Sequence, residues 1–238
     1  MLAVIGGTGF YTLGKKIETL KADTGYGPAE AQKVRILDEE LLFLPRHGPG
    51  HTIAPHKINY RANIAALKEF DATGVLTFHA AGAISKFRPG DLVLVDDFIG
   101  LFTPATFHDD FSGGMRHADF SSPFSKEMRG KLIEVAAAAK VKLKTGGIIA
   151  STPGPRFETK AEVKALGKMG ANLLSMTSGY EMALLGEAEM DFVSIAVATN
   201  FAAGVSKKPL SAEEVVANMK GAYGQLVALI GGFAEEVV

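Results

Sequence analysis

The sequence contains no cysteine. That absence excludes a disulfide framework, thiolate catalysis, Cys-ligated zinc and iron–sulfur clusters. Neither sign of charge is in excess: 25 Lys and Arg stand against 26 Asp and Glu, a formal net charge of -1. A dedicated nucleic-acid binder needs a basic surplus to neutralise phosphates, so that class is set aside. There is no run of 18 apolar residues, and Met1 to Phe10 lacks a basic start followed by a long apolar stretch. Neither a membrane span nor a secretory signal is expected, and the default location is the cytoplasm.

What is present is ordinary for a globular protein: 47% apolar and 21% charged residues over 238 positions. A chain of this length hides roughly 70–75% of its unfolded surface and needs no staples. With no repeat, low-complexity tract or Pro/Gly linker, residues 1–238 read as one domain.

Short apolar runs alternate with helical patterns. Leu2 to Ile5, Val34 to Leu37, Leu41 to Leu44, Val75 to Phe78, Leu92 to Val95, Gly147 to Ala150, Asn172 to Met176 and Phe192 to Ala198 read as strands. Several are apolar throughout, which suits strands covered on both faces. Lys57 to Phe70, Ser125 to Ala139, Thr159 to Met169, Tyr180 to Glu189 and Ala212 to Val237 read as helices. Thr159 with Glu162, and Ser211 with Glu214, have the spacing of a capping box. Val215, Met219, Tyr223, Leu226, Val227 and Ile230 form one stripe of the last helix, read as core. The alternation predicts an α/β fold, a mixed and mostly parallel sheet flanked by helices. Between Phe98 and Pro123 the pattern dissolves into a polar, aromatic segment holding His108 and His117. A loop of that length either covers a site or is an insertion.

Five segments at strand ends carry possible chemistry. Gly6-Gly7-Thr8-Gly9 follows the first strand, where exposed amides and the Thr8 hydroxyl can meet an anion, or simply make a turn. A dinucleotide fingerprint would need Gly where Thr12 stands, and an acidic residue ending a second strand, whereas Asp23 is expected in a polar loop. Arg46-His47-Gly48-Pro49-Gly50-His51 cannot hold its histidines one helical turn apart, which disfavours zinc. It reads as an anion clamp, Arg46 the charged fork and His47 a second donor, with structural ion pairing of Arg46 the alternative. Phe157 and Glu158 stand before a helix, able to stack on a planar ring and accept its N–H groups, or serving only the helix start. Thr177, with the helix N-terminal amides after it, is another oxyanion position. Asn200, closing the last strand, offers an amide donor and acceptor. Together they describe a phosphate beside a polar aromatic ring, at the sheet edge where ligands bind.

With these motifs in this order, and with Gly170-Ala171 before Ser175-Met176-Thr177, the chain resembles the methylthioadenosine phosphorylase branch of the purine nucleoside phosphorylase family. The resemblance runs from residue 5 to about residue 216. It implies phosphorolysis of a purine nucleoside, with orthophosphate as co-substrate, no metal, no organic cofactor, and a homotrimer or hexamer. By position it implies Thr8, Arg46, His47, Thr177 and the backbone of Ala80 as phosphate ligands, and Asn200, Arg46 and His47 as the catalytic groups. It places Met176 against the ribose, and Phe157, Glu158, Asn200 and Ala202 around the base. His117, Ala212 and Val216 fall at the 5′ end of the sugar.

The chain also departs from that branch. Adenosine-type members carry Asp where Asn200 and Ala202 stand, and a carboxylate pair suits a 6-amino purine. An amide at Asn200 with Glu158 opposite suits a 6-oxopurine: the amide donates to O6 or N7, and Glu158 accepts from N1–H. Inosine, guanosine or methylthioinosine is therefore expected, with methylthioadenosine the alternative. His79 stands where the family has Ser or Thr; it either touches phosphate or is a satisfied loop histidine.

Overall fold

In the computed structural model, residues 1–237 are described. The chain runs β1 (Leu2–Gly6), β2 (Lys15–Thr24), β3 (Gly27–Ile36), β4 (Glu39–Pro45), α1 (Tyr60–Glu69), β5 (Gly74–Ala83), β6 (Leu92–Ile99) and α2 (Lys126–Ala138). It continues through β7 (Leu143–Ser151), α3 (Lys160–Lys168), β8 (Leu173–Ser175), α4 (Ser178–Glu187), β9 (Phe192–Phe201) and α5 (Ala212–Val237).

The apolar runs of β1 are explained by burial on both faces. Leu2 and Val4 join Phe43, Phe78, Leu132 and Leu226 in the layer beneath α2 and α5. Ala3 and Ile5 point the other way, to Ile64, Leu67 and Leu185 beneath α1 and α4. Each large side chain so buried contributes about 1.5–3 kcal/mol against the unfolded chain.

The sheet order is β2-β3-β4-β1-β5-β8-β7-β6-β9, and β9 returns to pair with β5. Parallel and antiparallel pairs are mixed: β1 lies parallel to β4 and β5, whereas β6 and β9 are antiparallel. β5 is the pivot. One edge follows β9 from Val75 to Ala83. The other pairs with β1 only as far as Thr77, and with β8 only from Gly82. Between those points, strand edge is left for side chains and ligands, the condition under which open α/β sheets bind small molecules.

Three expectations are corrected. Residues 15–24, assigned no strand from the pattern, form β2, so Asp23 pairs with Pro28 at the end of a second strand and not in a loop, which leaves Thr12 as the ground against a dinucleotide fingerprint. β2 is an outer strand rich in Lys, with Glu18 and Asp23 also charged, and it lacks the apolar alternation that marks a half-buried strand. The helix expected from Lys57 begins at Tyr60, because Asn59 caps it by accepting from the Ala62 amide. The capping box at Thr159 is complete. At Ser211 only half of it forms: the hydroxyl accepts from the Glu214 amide, while the Glu214 carboxylate pairs with Lys208.

Candidate active site

Strand ends β1, β4, β5, β8 and β9 converge on one cavity of about 470 Å³. Thr8, Arg46, His47, Ala80, Thr177, Phe157, Glu158, Met176, Asn200, Ala202, Ala212 and Val216 all line it. His117 does not. It lies exposed in the segment after β6, its ring against Phe111, and that segment contributes nothing to the cavity within the described residues. The loop instead packs over α1 and α4: Arg61 grips Asp109 through two bonds, and Glu187 accepts from the Phe107 amide. The expectation that this loop covers the site, with His117 at the sugar, is not met within the protomer.

At the polar end, Arg46 is buried and its guanidinium is largely engaged by protein. Nε donates to Glu181 Oε1 at 2.6 Å and Nη2 to Glu181 Oε2 at 2.8 Å. Nη2 also reaches the Ile5 carbonyl, and Nη1 donates to the Phe78 carbonyl at 2.7 Å, on the unpaired stretch of β5. Of the five N–H groups of an arginine, one on Nη1 is left over. Gly7 is required beside it, since a Cβ there would lie 2.3 Å from Nη1. The fork expected to face an anion thus faces Glu181, and Arg46 offers the cavity a single donor. Ala80, two residues beyond Phe78, turns its backbone to the same strand edge.

His47 also differs from expectation. Its Nδ1 lies 2.7 Å from the Ile53 carbonyl, so that nitrogen carries the proton and donates. Burial, then the positive charge of Arg46, depress its pKa to about 4 against the raising effect of the Ile53 bond. Neutral His47 therefore presents Nε2 as an acceptor, not a second donor. It suits an anion that still carries a proton, such as hydrogen phosphate. Beside it, His51 Nε2 meets Thr8 Oγ1 at 3.1 Å, and the His51 ring packs against His47 and Tyr11.

Thr177 precedes α4. The Ser175 hydroxyl accepts from the amides of Thr177 and Ser178, so those two helix N-terminal amides are not free for an anion as expected. Thr177 itself lines the cavity, its hydroxyl within hydrogen-bond reach of His79 Nδ1 and Ser175 Oγ. His79 is fully buried on β5 and does not line the cavity, so it is a satisfied histidine, hydrogen-bonded to Thr177 and Thr77, but of a strand and not of a loop.

The other end is a slot for a flat ring. Gly82, Ala81 and Ala202 give it a low floor. Asn200 is buried; its Oδ1 accepts from Thr199 Oγ1 at 2.9 Å and its Nδ2 donates to the Phe201 carbonyl at 3.0 Å. One Nδ2–H remains. Glu158 Oε1 accepts from Thr152 Oγ1 at 2.5 Å, leaving Oε2 available. Phe157 is partly exposed at the mouth, and Met176 packs beneath Gly154, where a Cβ would lie 2.6 Å from the sulfur. Leu210, Val215 and Pro55 join Ala212 and Val216 at the remaining wall, with Tyr11 and His51 as its polar members. The first turn of the α5 stripe thus lines the cavity, while Met219, Leu226 and Ile230 are core as expected.

Glu181, Ser175, Thr199 and Asn218 had no assigned role in the sequence. Asn218, on α5, donates to the Thr199 carbonyl at 2.6 Å and ties the helix to the end of β9. Glu181 had a faint signal, a carboxylate in the first turn of a helix, but that position is commonly explained by the helix dipole alone.

Known proteins resemble this chain along nearly its whole length. The 6-oxopurine nucleoside phosphorylase of Pyrococcus furiosus is 38% identical over 240 residues, 96% of this chain and 90% of that protein. A Xanthomonas campestris protein named "Probable S-methyl-5'-thioinosine phosphorylase" is 38% identical over 98% of this chain and 96% of its own. Methylthioadenosine phosphorylase from Schistosoma mansoni in complex with adenine superposes with a TM-score of 0.91 at 26% identity, covering 99% of this chain and 91% of that one. The family model described as the phosphorylase superfamily matches residues 1–235, and this chain belongs to that superfamily.

Proposed function

We propose that the protein cleaves 6-oxopurine nucleosides with phosphate, releasing the free base and a pentose 1-phosphate. The carrying observation is the pairing of Asn200 with Glu158 at the base slot, an amide donor and a carboxylate acceptor with no second carboxylate at Ala202. Asn200 Nδ2–H suits O6 or N7, and Glu158 Oε2 suits N1–H. An adenine ring would set its 6-amino group against the Asn200 donor, leaving polar groups unpaired at about 1–3 kcal/mol each.

The reaction needs no covalent enzyme intermediate. The C1′–N9 bond lengthens and its electron pair passes to the purine, where the Asn200 donor stabilises the charge on O6 and N7. The ribose gains oxocarbenium character, packed against Met176. A phosphate oxygen then forms the new bond to C1′. Thr8, Thr177, the Ala80 backbone and the remaining Arg46 N–H donate to the phosphate, and the phosphate O–H donates to His47 Nε2. Such a site works by positioning and fixed dipoles, where one donor is worth roughly 3–4 kcal/mol. Phosphate is a co-substrate, and the reading requires no cofactor.

A homotrimer belongs to the same reading. Leu101, Phe102, Phe111 and Met115, exposed on the loop after β6, supply apolar surface for assembly. His117 lies on that loop, so any contact with a sugar would come from a neighbouring subunit. Sedimentation velocity checks the assembly.

The test incubates the protein with inosine, guanosine, methylthioinosine, adenosine and methylthioadenosine, with and without phosphate, and follows free base by absorbance. Phosphate-dependent release from the 6-oxopurine substrates is expected. Release without phosphate would overturn phosphorolysis, and faster turnover of the adenine substrates would overturn the roles of Asn200 and Glu158.

A further inference from the structure

We propose that His79, which touches no part of the cavity, is a positioning residue of the phosphate subsite: it fixes which way the Thr177 hydroxyl points. The inference rests on the phosphate-binding reading above.

His79 lies on β5 with none of its surface exposed. Its Nδ1 is 3.0 Å from Thr177 Oγ1, and its Nε2 is 3.1 Å from Thr77 Oγ1. Burial, then the charge of Arg46, hold its pKa well below the usual histidine value, so the ring is neutral and carries one proton. Two tautomers are possible. With the proton on Nε2, Nδ1 is an acceptor and draws the Thr177 hydroxyl proton inward. With the proton on Nδ1, the ring donates to Thr177 Oγ1, and the Thr77 hydroxyl donates to Nε2.

The surroundings favour the second arrangement once an anion is bound. Glu181 Oε2 stands 3.7 Å from Nε2, but both carboxylate oxygens already bond to Arg46, so the ring meets an ion pair and not a bare charge. Ser175 Oγ, accepting two amides, has its proton left to give and lies 3.4 Å from Thr177 Oγ1. Donated to by both Ser175 and His79, Thr177 Oγ1 has its own proton left for the cavity. A phosphate oxygen there selects that state, because the other tautomer would face it with lone pairs.

The experiment measures phosphorolysis of inosine at varied phosphate and varied inosine for the unmodified protein, His79→Asn, His79→Gln and His79→Leu, each checked for cooperative thermal melting. An Asn amide can place its nitrogen where Nδ1 stands; a Gln amide reaches the Nε2 position instead. His79→Asn is expected to keep the phosphate KM within about threefold, whereas His79→Gln and His79→Leu raise it about tenfold, the cost of one lost donor. The inosine KM is expected to stay near that of the unmodified protein. In a Thr177→Val background, His79→Gln is expected to add no further rise. Equal phosphate KM in all folded variants, or an equal rise in Asn and Gln, overturns the role of His79. Should His79→Leu fail to fold, the Asn–Gln contrast decides. Base release by the unmodified protein without phosphate overturns the phosphate subsite and this inference together; phosphate-dependent release with flat variants overturns only the inference.

Discussion

Arg46 shows how far a residue's role depends on its partners. As a lone guanidinium at a strand end it would be a fork for phosphate; paired flat against Glu181 in the interior, it is an anchored charge with one donor to spare. Breaking such a pair by removing one partner leaves an uncompensated buried charge. Glu181→Gln is expected to destabilise the protein by about 3–5 kcal/mol, read as a lowered denaturant midpoint. At the base slot, Asn200→Asp replaces the free amide donor with an acceptor. We expect kcat/KM on inosine to fall about 100-fold, read by base release; an unchanged preference between inosine and adenosine would remove Asn200 from base selection. His47 makes a pH prediction. Its folded pKa of about 4 lies below the ordinary value near 6.5, so between those values the unfolded chain binds a proton that the folded protein does not. Stability is therefore full above about pH 6.5 and declines as pH falls towards about 4. Buried His79 acts in the same direction. The urea midpoint is expected to drop between pH 7 and pH 5, and to drop less in His47→Gln.

Elements were legible where they are regular and covered. Runs such as Leu41 to Leu44 have one physical reading, a strand buried on both faces, and they form as expected. The capping box at Thr159 was visible in four residues because both of its bonds are local. Thr159→Ala should cost about 1 kcal/mol, seen as a lower melting temperature; the orientation of Phe157 and Glu158 just before α3 depends on that helix start. β2 was not legible. Its charged sequence carries no period, and it is a strand only because β3 offers a continuous edge from Thr24–Gly27 back to Lys15–Arg35. Half of the second capping box failed for a similar reason, since Lys208 competes for the Glu214 carboxylate.

At the scale of the molecule, charge balance and site chemistry agree. A formal net charge of -1 builds no field that would draw anions, and the main cation of the site is already neutralised by Glu181. Phosphate capture should thus rest on short-range hydrogen bonds. Raising sodium chloride from about 50 to about 200 mM is expected to change the phosphate KM by less than about twofold, whereas steering by exposed charges would weaken capture much further. The loop after β6 is decided at this scale as well. Its length and aromatic content suggested a cover for the cavity, yet the tie of Asp109 to Arg61 and of Glu187 to Phe107 draws it across α1 and α4.

By itself the sequence determined the α/β class, the strands at whose ends the site lies, and Thr8, Arg46, His47, Phe157, Glu158, Thr177 and Asn200 at its cavity, while Ala80, Met176, Ala202, Ala212 and Val216 came from the family resemblance. It could do so because strand burial, helix caps and glycine turns are local requirements written in neighbouring residues. The tertiary structure alone decided which donors remain free. Residues 135 positions apart bring Glu181 to Arg46, and residues 98 apart bring His79 to Thr177, so that the fork closes, the hydroxyl turns and His47 becomes an acceptor. Hydrogen-bond valence is settled only when every neighbour is in place, and no spacing along the chain records it.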